Sequence, residues 1–79
     1  MRIDNLKGKV LKCVSHCTGF QIDEPEAVPI SEDKIIEVID ITDTHIIATG
    51  IPFYGKFKVN RKRMSGCFVI SGTGEKINS

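Results

Sequence analysis

Cys13, His16 and Cys17 fall within one five-residue stretch, "CVSHC", and Cys67 stands alone far along the chain. A structural zinc ion needs four thiolate or imidazole ligands arranged tetrahedrally. Cys13, His16, Cys17 and Cys67 could supply them if the first and last strands are neighbours. Complete zinc signatures carry two paired knuckles, however, and here the second half is one cysteine with no histidine beside it. A redox pair is disfavoured because Cys13 and Cys17 are separated by three residues rather than two. A nucleophile formed by His16 and Cys17 is disfavoured because adjacent residues of a strand point to opposite faces. The plainer expectation is that Cys13 and Cys67 act as small core hydrophobes, with His16 and Cys17 in the turn beyond, and that no cofactor is bound. Zinc is the alternative.

A second candidate is the basic run "KFKVNRKR". On a strand, Lys56 and Lys58 would point outward while Phe57 and Val59 point inward, and Arg61, Lys62 and Arg63 would crowd the following turn. Clustered cations on a sheet face bind phosphate backbones through counterion release, and Tyr54 nearby could stack on a base. The competing reading is a solvated strand whose lysines discourage edge pairing.

A third is the acidic segment "DEPEAVPISED", with Asp23, Glu24, Glu26, Glu32 and Asp33. Its charge excludes phosphate and suits a basic protein surface, and its prolines lower the cost of ordering it on docking. It has neither the alternating oxygen ligands nor the turn glycine of a calcium loop.

The charges are divided along the chain although the net charge is only +1. Residues 1–22 carry Arg2, Lys7, Lys9 and Lys12 against Asp4. Residues 23–43 carry the five acids above with Glu37, Asp40 and Asp43, against Lys34. Residues 44–79 carry the five cations of the basic run and Lys76 against Glu75. Such division bears on partners and association rates rather than on fold.

The elements that must position these groups read as strands. At 79 residues there is room for one domain, and 41% hydrophobic residues, rich in Ile and Val, give it a core. Lys9 to Ser15 is β-branched and apolar, and is expected to be the first strand. Residues 18–33, with Gly19, Pro25, Pro29 and clustered acids, read as a long loop tacked down by Phe20, Ile22, Val28 and Ile30. Residues 34–51 read as a hairpin turning at Asp43. A helix capped by Ser31 competes over 31–40, but four isoleucines and a valine between 35 and 41 favour strand. Residues 53–64 alternate as a half-buried strand, and "SGCFVIS" (65–71) reads as a last strand. The ordered core is expected over about residues 7–71, with 72–79 a flexible tail.

Five short strands with one long acidic loop after the first predict an all-β fold, a small antiparallel barrel. The layout resembles the small SH3-like barrels, in which a long loop separates the first strand from a three-strand meander. The aromatic groove by which SH3 domains take proline-rich peptides has no counterpart in these few aromatics, so that ligand class does not transfer.

No P-loop, nucleophile elbow or His-Glu-x-x-His pattern is present, which disfavours an enzyme. No apolar run approaches the roughly 18 residues of a membrane span, and no apolar leader opens the chain. The expectation is a cytoplasmic, non-catalytic binding module that engages a protein partner through its charged surface and has no membrane partner. Its size suits an accessory protein of a phage or mobile element. The alternatives are a nucleic-acid binder using Lys56, Lys58, Arg61, Lys62, Arg63 and Tyr54, and a small zinc protein. A homodimer that buries surplus apolar area is also compatible with the composition.

Overall fold

The computed structural model describes residues 1–23, 26–50 and 55–78. Seven strands are formed: β1 (Val10–Cys13), β2 (Cys17–Gln21), β3 (Ala27–Ile30), β4 (Ile35–Ile41), β5 (His45–Thr49), β6 (Lys56–Asn60) and β7 (Phe68–Ile70). Among the described residues one helix, α1 (Arg61–Cys67), separates β6 from β7, and a 3-10 turn covers Ile3–Asn5. All strand pairs are antiparallel, in one sheet of order β3-β2-β6-β5-β4-β1-β7.

The all-β expectation holds, but the five-stranded barrel is corrected to a seven-stranded sheet whose end strands β3 and β7 do not pair. The two additional strands come from the expected long loop. Thr18 pairs with Pro29 and Phe20 with Ala27, so most of 18–33 is a β-hairpin. Pro29 has no N–H to give to a ladder, but β3 lies at the edge of the sheet, where only one side needs partners.

Strand formation follows the alternation of side chains. Leu11 and Cys13 of β1, Ile36 and Val38 of β4, Ile46 and Ala48 of β5, and Phe57 and Val59 of β6 are all buried. The register sets Leu11 against Ile36, Val38 against Ala48, and both Ala48 and Ile46 against β6 through Phe57 and Val59. The inward residues therefore form continuous rows across the sheet. Residues 35–41 are strand, so the helix considered there does not form. Between Val38 and Asp40 the register shifts, leaving Ile39 as the extra residue of a bulge.

The β4–β5 turn is held by Thr42 rather than by Asp43. Thr42 Oγ1 accepts from His45 N at 2.9 Å, and Thr42 N donates to His45 O at 2.8 Å. At the end of β6, Asn60 caps α1 by accepting from Lys62 N at 2.9 Å. Met64 and Cys67, three residues apart and on one side of the helix, are its buried residues. The basic run is thus strand to Asn60, while Arg61, Lys62 and Arg63, expected in a turn, open a helix, and the last strand starts at Phe68 rather than at Ser65.

The ends extend the core beyond 7–71. Ile3 and Leu6 are buried, and Ile77 is 2% exposed. Residues 72–78 are tied in: Ile3 N donates to Asn78 O, and Asn78 N to Met1 O at 2.7 Å. The N-terminal ammonium meets Glu75 Oε2 at 2.9 Å and donates to Lys76 O at 2.7 Å.

Candidate functional site: the outer face around Lys12

The three cysteines converge at one end of the sheet, because Cys13 ends β1, Cys17 begins β2 and Cys67 ends α1. All three are free and buried. The Cys13 thiol lies 3.1 Å from Ser15 O and 3.7 Å from Ile30 O. Cys17 reaches Thr18 O at 3.8 Å and hydrogen-bonds with Cys67, whose sulfur stands 4.0 Å from His16 O. Burial, and for Cys17 next the bond with Cys67, raises both thiols, Cys17 to about 12. His16 itself is exposed and meets Cys67 through its carbonyl. Among the described residues no three His, Cys, Asp or Glu side chains are grouped to hold a metal ion. All three thiols belong to the buried apolar cluster of the core, Cys17 on β2 rather than in the turn expected for it.

The basic run is divided by the structure. Lys56 and Lys58 lie on the outer face of β6, opposite Thr49 and Ile47 of β5. Arg61 turns back into the fold: Nη2 meets Asp4 Oδ1 at 3.1 Å and Nη1 donates to Thr42 O at 2.9 Å. Lys62 and Arg63 are exposed on α1. Tyr54 lies outside the described residues. Phe20 of β2 stands directly opposite Lys58, both half-buried.

The acidic segment is likewise divided. Asp23 and Glu26 flank the end of the β2–β3 hairpin, and Glu24 lies outside the described residues. Glu32 and Asp33 occupy the turn between β3 and β4, where Asp33 adopts φ +73° and its N–H bonds Cys13 O. Asp33 Oδ1 lies 3.6 Å from Lys12 Nζ, a long and solvated ion pair.

That ion pair borders a feature not anticipated in sequence. Lys12, outward on β1, stands opposite Ile35 of β4 on one side and Val69 of β7 on the other. Val10 lies two residues before it on the same face. Val14 lies two residues after, where its N–H bonds Cys67 O and keeps the chain beside α1 and β7. Val10, Val14 and Ile35 are 42%, 45% and 47% exposed, and Val69 is half-buried. Lys12 is therefore a cation at the centre of a cross of four β-branched apolar side chains, with Glu37, opposite Val10, at the margin. The stretch "VLKCV" carries the signal, since a strand apolar in both phases of its alternation has an apolar outer face as well as an inner one.

No family model matches the chain, and comparison with curated proteins and with solved structures gives no significant match. Among the described residues no helix is long and apolar enough to cross a membrane.

Proposed function

We propose that the protein is a non-catalytic binding module that docks a protein partner on the outer face of β7, β1 and β4. The observation that carries this reading is the cross of Val10, Val14, Ile35 and Val69 around Lys12. Water-facing β-branched residues gathered on one strand trio lose hydration when covered, at roughly 25 cal/mol per Å² of apolar area. A single lysine in their midst gives the face a sign. It selects a partner that offers a carboxylate among apolar side chains, and it costs any partner that leaves the ammonium buried and unpaired. The exposed acids Glu32 and Asp33 border the same face, which joins the expected acidic surface to the apolar one.

The order of elements supports an SH3-like architecture in open form. A first strand is followed by a long excursion, now a hairpin, then by the β4–β5–β6 meander and a last strand beside the first.

Affinity capture tests the reading when wild type is compared with Lys12→Glu and Ile35→Asp, nuclease being present throughout. Both substitutions are at exposed positions, so the melting temperature should be little changed. Partners retained by wild type and by Arg63→Glu but lost from both face variants support the docking face. Equal capture by all four proteins contradicts it.

Nucleic-acid binding is the second reading, favoured by the placement of Phe20 opposite Lys58 with Lys56 two residues before. An aromatic ring beside two cations suits a stacked base and its phosphates. The loss of Arg61 to Asp4 and Thr42, and the outward Asp40 that faces Ile47 in the same row, weigh against it. Anisotropy of a labelled single-stranded oligonucleotide at low salt separates the readings. Binding that Phe20→Ala and Lys58→Glu abolish favours this one.

A further inference from the structure

The exposed large apolar residues among those described fall in two places. Val10, Val14 and Ile35 surround Lys12, and Ile22, 42% exposed, lies at the end of the β2–β3 hairpin followed directly by Asp23. In the strand order these places belong to opposite halves of the sheet, β2 being second from one end and β1 second from the other. One offers an apolar ring with a central cation. The other offers an isoleucine with an adjacent carboxylate, which is the chemistry that the first selects.

We infer that a second copy of this chain is an occupant of the Lys12 face, with Ile22 of the second copy covering the valines and Ile35, and its Asp23 meeting Lys12. The inference rests on the docking-face reading and names its partner. A two-fold axis through the centre of the cross would set Lys12 against Lys12, a repulsion inside an apolar contact. Docking the hairpin end on the face avoids that clash and pairs opposite charges instead. Such a contact closes when two copies exchange hairpin ends reciprocally, and otherwise repeats head to tail, because each copy carries both halves. The Lys12–Asp33 pair, at 3.6 Å with side chains 46% and 84% exposed, is weak enough to exchange for the incoming carboxylate.

Sedimentation velocity of the full chain over a concentration series, up to about 1 mM, tests this. Wild type should pass from monomer to dimer or to a ladder of larger species, and about 1 M salt should shift the series back to monomer. Lys12→Glu and Asp23→Lys should each weaken association at least tenfold, roughly 1.4 kcal/mol. The charge-swapped double variant should recover most of that loss, and equal circular dichroism spectra confirm that all variants fold. A wild type monomeric throughout the series overturns the inference, and so does association that neither charge reversal weakens. If wild type is monomeric while face variants still lose a captured partner, the docking-face reading stands and the self-docking inference alone falls.

Discussion

Arg61 and Asp4, 57 positions apart in sequence, meet at 3.1 Å, and Arg61 also donates to the Thr42 carbonyl at 2.9 Å. One guanidinium thus links the N-terminal turn, the β4–β5 hairpin and the first turn of α1. Arg61→Ala should lower stability by about 1 kcal/mol, the scale of a partly exposed pair plus a hydrogen bond. Chemical denaturation measures it. If the basic run binds polyanions at all, Arg61→Ala should change that affinity less than Lys62→Ala does, as a titration with heparin would show.

Gly50 passes so close to β4 that a Cβ there would stand 2.8 Å from the Ile35 carbonyl oxygen and 3.1 Å from the Ile36 side chain. Both neighbours are held by the sheet, and one is backbone. Gly50→Ala should therefore destabilise the protein by about 1–3 kcal/mol, as overpacking does. Gly8, around which an added Cβ meets nothing within 4 Å, has a positive φ of +82° and would report backbone strain alone. Gly50 itself holds φ +156°, so its alanine variant adds crowding to strain, and thermal melts of the two variants side by side should show the larger loss at Gly50.

Asp33 holds φ +73°, a conformation that costs a side-chain-bearing residue about 1 kcal/mol relative to glycine. Asp33→Gly should match or exceed wild-type stability despite losing the Lys12 contact. Asp33→Ala, which keeps the strain and loses the contact, should fall about 1 kcal/mol below Asp33→Gly. A Gly variant that falls below wild type and no higher than the Ala variant would show that the ion pair, not the backbone, governs this turn.

Burial keeps Cys13 and Cys17 protonated, Cys17 up to about pH 12 against an ordinary value of 9.0. At pH 8 Cys17 is held as the neutral thiol, so a disulfide reagent should label it slowly in the native protein and rapidly after unfolding. The folded state holds these protons more tightly than the unfolded chain. Stability from this source is therefore complete below pH 9 and declines as pH rises from 9 towards 12. A pH series of denaturation midpoints checks the sign. Fast native labelling at pH 8, or an equimolar metal content in purified protein, would contradict thiols that act only as packing.

What could be read in advance was what alternation carries. Leu11, Cys13, Ile36, Val38, Phe57 and Val59 each recur at period two, and all are buried. Two regions escaped because a local feature outweighed the pattern. Prolines and acids made 18–33 look like a loop, although Pro29 sits harmlessly on an edge strand. In the basic run, strand alternation was carried past Asn60, whose cap turns the chain into a helix that buries only Met64 and Cys67. The candidate surface was hidden for a different reason. Val10 and Val14 are local to Lys12, but Ile35 and Val69 join them only through the pairing of β1 with β4 and β7, a register that no single stretch encodes.

The docking face is tested most directly by placing a photoreactive benzophenone side chain at Val10, Lys62 or Ile22 and irradiating cells that express each variant. Adducts of defined protein mass from position 10, lost when Lys12 is also changed to Glu and not formed from position 62, are the predicted result. An adduct of twice the chain mass from both positions 10 and 22 would identify the second copy. Adducts from position 62 with none from position 10 would contradict the account.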